Sequence, residues 1–285
     1  MRRPVVRYAA VFGDPVAHSR SPAMHNAAFR ALKLPYVYLK FRVPVADLVS
    51  ALRGVAVLGF RGVNLTIPLK EAALGFMDRL TISARRVGAV NTVTFDLGTI
   101  EGHNTDGEGF LRSMCGEWGY RPRGMSAVVL GAGGAARAVV FALASAGARK
   151  IAVVNRTASR AETLAREAAR DTGCNVRSVR PLSVGAWQDL LGETDLLVNA
   201  TSVGMRGEPS PVPVSALVPR LRVADLVYNP PSTALLRAAR SKGARAMNGC
   251  GMLVHQGALA IERWTSLRAP VMAMRRALLR SLPVQ

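Results

Sequence analysis

The segment "SAVVLGAGGAARAVVFALASAGARKIAVVNRT", residues 126–157, constrains this chain more than any other stretch. An apolar β-like run leads into Gly131, Ala132, Gly133, Gly134, Ala135 and Ala136, then an alanine-rich helical stretch, then a second apolar run. Strand, glycine turn, helix and strand in that order are the context in which G-x-G-x-x-G/A signifies dinucleotide binding and not mere close packing. Gly131 allows the tight turn. Gly133 lets backbone N–H groups approach a pyrophosphate at the helix N-terminus. At the end of the second run, where an NAD-binding unit usually carries an acid for the ribose hydroxyls, stand Asn155, Arg156 and Thr157, with Arg160 one turn on. Guanidinium groups and a hydroxyl suit a 2′-phosphate that an acid would repel, so the expected cofactor is NADP.

A chain of 285 residues exceeds one average core and suggests two domains. No apolar stretch approaches the roughly 18 residues of a membrane span, and the basic opening lacks the apolar core of a signal peptide. Cys115, Cys174 and Cys250 form no CxxC pair, so neither disulfides nor zinc are suggested, and a cytoplasmic location is expected. The four histidines, His18, His25, His103 and His255, lack metal-ligand spacing and read as structural or solvated; no metal is expected. The formal charge of +20 raises a nucleic-acid reading. Only five of the 38 cations are lysines, and the arginines are scattered through helices such as "SRAETLAREAAR" without a block or interleaved aromatics. Arginine-rich coding accounts for this equally well. Attraction of a phosphorylated small ligand remains as a secondary effect.

Alternating β-like and helical stretches predict α/β layers with parallel sheets. "RYAAVFG", "YVYLKFRV" and "GVNLTI" read as strands, and "SPAMHNAAFRALK" as a helix with Ser21 at the N-cap and Pro22 at its first position. "HNTDGEGFLRSMCGEWGYRPRGM" reads as a helix and a Gly/Pro/Arg linker into the second domain. The N-terminal half also gathers polar loops, "HSRSP", "NLTIPLK", "AVNT" and "GHNTDG". Such strand-end loops are where α/β proteins place substrate.

At these residues the chain resembles the shikimate dehydrogenase family, nearly end to end. The resemblance is carried by "HSRSPAMHN", "GVNLTIPLKEAA", "GAVNTV", "GHNTDGEGF", "GAGGAARA", "NRTASRA", "NATSVGM", "DLVYNPPSTALL" and "GCGMLVHQGALA", in family order and spacing. It implies NADPH-dependent, reversible reduction of 3-dehydroshikimate to shikimate in aromatic amino acid biosynthesis. It also implies an N-terminal α/β catalytic domain (1–110), a Rossmann-type doubly wound parallel-sheet domain (111–248), C-terminal helices returning to the first domain (249–285), and a cleft between the domains. Lys70 and Asp106 match the catalytic pair. Ser19 and Ser21 match the positions that bind the substrate carboxylate, with Tyr228 assisting; Thr66, Asn91, Asp106 and Gln256 match those that hold ring hydroxyls. Thr201, Met205 and Gly249 match the nicotinamide side. Ser21 could instead serve as an N-cap, Asp106 as a helix cap, Asn91 as a turn residue, and Tyr228 and Met205 as packing. Two positions depart from the pattern, Ile261 and Ser266, where an aromatic and a glycine are expected.

Three rivals stand beside this reading. Quinate/shikimate or aminoshikimate dehydrogenases share the scaffold, often with NAD; Ser19, Ser21 and "NRTASR" favour shikimate and NADP. A non-catalytic NADP-binding redox sensor would keep the glycine turn but not need Lys70 or Asp106. A nucleic-acid-binding protein is the third, and no such partner is expected. The chain is expected to act as a monomer or homodimer without membrane association.

Overall fold

The computed structural model describes residues 5–96 and 98–282. The chain divides into two compact units, one built from Met1–Gly109 with Leu253–Ser281 and the other from Phe110–Met252.

The first unit runs β1 (Arg7–Gly13), α1 (Ser21–Ala31), β2 (Tyr36–Arg42), α2 (Leu48–Val57), β3 (Gly62–Leu65), α3 (Leu69–Ala72), β4 (Arg79–Leu80), α4 (Ile82–Val87), β5 (Thr92–Asp96) and β6 (Thr99–His103). The helix α5 (Asp106–Trp118) begins here. Its sheet order is β2-β1-β3-β5-β6-β4. Strands β1, β2 and β3 pair in parallel, as the intervening helices require, whereas β5 is antiparallel to both β3 and β6. The expectation of parallel sheets is therefore incomplete here. The connection from β5 to β6, with Gly98 at φ +82°, is far too short for the crossover a parallel pair needs, so the strands form a hairpin. All four residues of β3 are buried, and Val63, Leu65, Phe12, Leu69 and Val93 share one apolar core.

The second unit runs β7 (Ser126–Leu130), α6 (Gly134–Ser145), β8 (Lys150–Val154), α7 (Ala158–Thr172), β9 (Asn175–Ser178), α8 (Val184–Gly192), β10 (Leu196–Asn199), β11 (Arg222–Asp225), α9 (Ala234–Ser241) and β12 (Arg245–Met247). All its strands are parallel, in the order β12-β11-β10-β7-β8-β9. Counted from β7 this is the 3-2-1-4-5-6 order of a doubly wound nucleotide-binding sheet, whose switch point lies between β7 and β10. The strands read as continuous Val/Leu/Ala runs because both faces are covered. The glycine turn follows β7 and the "NATS" loop follows β10, so the topology alone brings both to one edge.

Helices α10 (Cys250–Thr265) and α11 (Val271–Ser281) close the described chain. Within the first unit α11 lies on α1, and Trp264 of α10 is buried with its Nε1 donating to the Val93 carbonyl at 3.1 Å. Gly62 is needed beneath that ring: a Cβ there would come within 1.9 Å of Trp264 Nε1 and 2.4 Å of the Val93 oxygen. Ile261, the aliphatic departure, is fully buried. Ser266, the other departure, ends α10 with φ +58° while its N–H bonds the Glu262 carbonyl at 2.9 Å. An L-residue with a Cβ costs about 1–2 kcal/mol in that left-handed conformation, which glycine adopts freely. Ser266→Gly should therefore stabilise the chain by about 1 kcal/mol and raise Tm by a few degrees in a thermal melt. An unchanged or lowered Tm would show that the serine carries a compensating contact.

Candidate active site

The polar loops of the first unit converge because β1 and β3 end, antiparallel β5 begins and β6 ends at the same edge of the sheet. Lys70 enters at the start of α3, directly after the strand-end segment Thr66–Pro68. Its ammonium donates to Asp106 Oδ2 across 36 residues of sequence, and both side chains are largely shielded from water. Asp106 is the first residue of α5, where a carboxylate is favoured by the helix N-terminus, and its own N–H bonds Asn104 Oδ1 at 3.1 Å. The other carboxylate oxygen accepts from Asn91 Nδ2 at 2.8 Å. Gln256 Oε1 lies 3.4 Å from the same Asn91 nitrogen, and its Nε2 donates to the Leu253 carbonyl at 2.9 Å. The helical backbone of α10 comes close because Gly109 has no side chain; a Cβ there would meet the Gln256 nitrogen at 2.7 Å. Lys70, Asp106, Asn91 and Gln256 thus form one cluster, with Thr66 half-buried on the strand-end segment that leads into it.

Beneath them lies a second layer that sequence reasoning alone misses. Asn64, buried in β3, accepts from Tyr38 Oη at 2.7 Å and donates to Thr92 Oγ1 at 3.0 Å and to the Asn91 carbonyl at 3.2 Å. Thr105 supplies its N–H to Asn91 Oδ1 at 2.8 Å, which fixes which way the Asn91 amide faces. The only sequence signal is a carboxamide in the middle of the apolar run "GVNLTI". Such a residue in a fully buried strand must have its hydrogen bonds satisfied.

The same layer reaches the serines. Burial pushes the Tyr38 phenol well up, and a hydrogen bond from Ser21 opposes that rise. Ser21 is expected at the N-cap of α1. The structure puts Arg20 there without a side-chain cap bond, and Ser21 is the first helical residue, its N–H facing Ser19 Oγ at 3.3 Å. Pro22 follows one position later than expected. Ser21's hydroxyl is consequently not spent on capping.

In the second unit Gly131 has φ +109°, and its N–H bonds the Val154 carbonyl at 2.8 Å. A Cβ there would press on the Ala200 carbonyl at 3.1 Å, whereas at Gly133, the N-cap of α6, it would meet nothing within 4 Å. The first glycine is required by its turn and the second leaves open space before the helix. Ala132 is buried, while Gly134 and Ala135 face that space half-exposed on the first turn of α6. Asn155 Nδ2 donates to the Thr157 carbonyl at 2.9 Å, shaping the loop after β8. Thr157 is the N-cap of α7 but its hydroxyl makes no cap bond, and Arg156, Thr157 and Arg160 are exposed. A hydroxyl and guanidinium groups at the N-terminus of a 15-residue helix fit a phosphate. Thr201, by contrast, spends its hydroxyl within its own loop, donating to Asn199 Oδ1 at 2.7 Å and accepting from the Val203 N–H at 3.1 Å. Met205 is exposed. Gly249 is sterically obligatory, since a Cβ would fall 2.0 Å from the Leu226 carbonyl oxygen. No His/Cys/Asp/Glu group able to hold a metal occurs among the described residues. No helix among them is long and apolar enough to cross a membrane.

A 3-2-1-4-5-6 sheet with an open glycine turn, in a chain whose other unit presents a lysine–carboxylate pair, defines a nicotinamide-nucleotide-dependent oxidoreductase. Models for the shikimate dehydrogenase substrate binding domain, the shikimate / quinate 5-dehydrogenase and the shikimate 5′-dehydrogenase C-terminal domain match residues 11–93, 121–205 and 249–279. A shikimate dehydrogenase (NADP(+)) from Methanopyrus kandleri is 52% identical over 275 residues, covering 95% of this chain and 94% of the relative. The structure of shikimate 5-dehydrogenase from Thermus thermophilus in complex with NADP(H) and shikimate is 42% identical with a TM-score of 0.86, covering 97% and 100% of the two chains. Quinate dehydrogenase from Corynebacterium glutamicum in complex with NAD is 35% identical with a TM-score of 0.89, covering 96% and 99%. The chain belongs to the shikimate dehydrogenase family.

His25 shows how the start of α1 at Ser21 is supported. Its ring is fully buried, stacked on Tyr38 at 4.0 Å, and its Nδ1–H donates to the Ser21 carbonyl at 2.9 Å. Burial lowers its pKa from 6.5 to about 4. Above pH 6.5 both folded and unfolded states hold it neutral; as pH falls the unfolded chain takes the proton first, so stability is lost between about pH 6.5 and 4. His103, also lowered by burial to about 4, acts in the same direction. From about pH 7 to about pH 5 the His25 contribution should fall by about 2 kcal/mol. Urea unfolding at the two pH values should show this loss, and His25→Phe should remove that part of it; an equally steep decline in the variant would contradict the assignment.

Proposed function

We infer that the chain catalyses NADP-dependent, reversible interconversion of shikimate and 3-dehydroshikimate. The observation that carries this is the shielded Lys70–Asp106 pair, oriented by Asn91, in a chain whose other unit offers an open glycine turn and a basic, acid-free loop after β8. Ser19 and Ser21 are the hydroxyl donors for the substrate carboxylate, and family resemblance gives Tyr228 an assisting role. Thr66, Asn91, Asp106 and Gln256 bond the ring hydroxyls, for which carboxamides suit because they both donate and accept.

NADP would be held by Gly131 to Ala135 at its pyrophosphate, by Arg156, Thr157 and Arg160 at its 2′-phosphate with Asn155 shaping that loop, and by Thr201, Met205 and Gly249 near the nicotinamide. With its hydroxyl committed to Asn199, Thr201 offers its methyl group and backbone. When bound, the cofactor supplies or accepts the hydride. The protein's part is the charge that develops on the carbonyl oxygen during reduction. The Lys70 ammonium stabilises that oxygen and delivers the proton that completes the hydroxyl. Asp106 holds the ammonium in place and accepts a hydrogen bond from a ring hydroxyl.

Because Lys70 acts on charge present mainly in the transition state, Lys70→Met should lower kcat by roughly 10² or more while changing KM far less. Near-normal kcat would remove Lys70 from the mechanism. The wild-type kcat/KM for shikimate should be well above that for quinate, whose extra hydroxyl must fit beside Ser19 and Ser21. Equal values would make the chain a quinate/shikimate enzyme, and activity with neither would favour a non-catalytic NADP-binding protein. For the cofactor, each charged hydrogen bond to the 2′-phosphate is worth about 1.5–3 kcal/mol, so two favour NADP over NAD by roughly 10² to 10⁴. Arg156→Asp should cut NADP affinity strongly and leave NAD nearly unchanged in calorimetric titrations. Equal weakening of both would place the 2′-phosphate elsewhere.

A further inference from the structure

Asp225, at the end of β11, is a buried carboxylate that the proposed chemistry does not use. Oδ1 accepts from Asn199 Nδ2 at 2.9 Å and from the Val227 N–H at 3.1 Å, and Oδ2 accepts from Thr233 Oγ1 at 2.6 Å. All three partners donate, so the group serves as an acceptor hub. Two of them lead to segments that bear assigned binding positions. Asn199 passes the constraint to the loop after β10: its Oδ1 takes both the Thr201 hydroxyl and, at 3.2 Å, the Thr201 N–H, and its Nδ2 also donates to the Val203 carbonyl at 3.0 Å. Gly204, with φ +105°, lies over the hub; a Cβ there would be 3.1 Å from Thr233 Cγ2 and 3.9 Å from Asp225 Oδ2. The loop's far end is held by a second carboxylate, Glu208, which accepts from the N–H groups of Gly204 and Arg206 at 2.9 and 2.8 Å. On the other side, Val227 immediately precedes Tyr228, and the Val227 carbonyl receives the Gly249 N–H at 3.1 Å. The segments that carry Thr201, Met205, Tyr228 and Gly249 are therefore all tied through bonds that end at Asp225.

We propose that Asp225 is a positioning residue for the hydride-transfer step, its two oxygens locking the Thr201–Met205 loop and the Tyr228 segment into one geometry. The proposal rests on the functional reading above. Misplacing a reacting group by about 1 Å can cost roughly 10² in rate, so slackening both segments falls on kcat. Binding at the adenosine end, anchored by Arg156 and the glycine turn, is left alone. A group that only stabilised the fold would leave the turnover of folded enzyme unchanged.

The test uses the full chain and measures kcat for shikimate oxidation with NADP per folded molecule. Alongside it, the affinity for adenosine 2′,5′-bisphosphate is measured, a probe of the phosphate end without a nicotinamide. Asp225→Leu, which removes both acceptors, should lower kcat at least about tenfold with bisphosphate affinity unchanged. Asp225→Asn should restore most of the rate, since its oxygen can still receive Asn199 and Val227 while its amide donates to the Thr233 hydroxyl. Should Asp225→Leu not fold, Asn199→Ala severs the link to Thr201 from the other side and should show the same loss. Retained kcat in either folded variant, or bisphosphate affinity falling in step with kcat, overturns the proposal, as does an asparagine no better than leucine. Wild-type enzyme that binds the bisphosphate but does not oxidise shikimate overturns the functional reading, and this proposal with it.

Discussion

The rest of the first unit is organised around keeping one ammonium paired and correctly aimed in a place from which water is mostly excluded. A lysine taken out of water has to be paired, and breaking a buried pair by removing one partner typically costs about 3–5 kcal/mol. Asp106 meets that need from the start of α5, but a carboxylate with two oxygens can turn. Asn91 prevents this by bonding the oxygen that Lys70 does not use. The Asn91 amide is in turn held by the Thr105 N–H, and its backbone carbonyl by Asn64. Each layer removes a rotation from the one above it, which is how a flexible four-carbon side chain becomes a fixed donor.

The second unit solves a similar problem with the sign reversed. There a buried carboxylate, Asp225, orders neutral donors on loops that have little core of their own. Burial pushes its pKa up, and the bonds from Thr233, Val227 and Asn199 oppose that rise. Both units thus place their polar networks where strands end and put ordinary Val/Leu/Ala packing behind them.

Much of this is legible in the sequence because it is local. The glycine turn, the helix after it and the acid-free loop at Asn155–Arg156–Thr157 are fixed by neighbours within a few residues. The motifs that carry Lys70, Asp106 and Asn91 are equally visible as loops. What stays hidden depends on pairings far apart in the chain. Asn64 looks like an anomaly in a strand until Tyr38, 26 residues earlier, and Thr92, 28 residues later, are brought to it. The hairpin of β5 and β6 escapes notice because its open end, where Thr92 pairs with His103, falls in the polar loops "AVNT" and "GHNTDG". Ser21 reads as an N-cap because Ser before Pro is a strong local signal, and only the observed helix start shows its hydroxyl turned to other use. Thr201 likewise hides its commitment to Asn199 until the turn after β10 is seen. Ser266 is the opposite case: the departure from glycine is legible, and the structure supplies its meaning as a left-handed residue.

The most direct test of the central claim, that Lys70 and Asp106 address the carbon undergoing oxidation, is the crystal structure of the protein with shikimate bound. The ring carboxylate should lie against the Ser19 and Ser21 hydroxyls, and the hydroxyl to be oxidised within about 3 Å of Lys70 Nζ, with Asp106 on a ring hydroxyl. A carboxylate paired instead with Lys70, or a ring hydroxyl set with no contact to the Lys70–Asp106 pair, would contradict it.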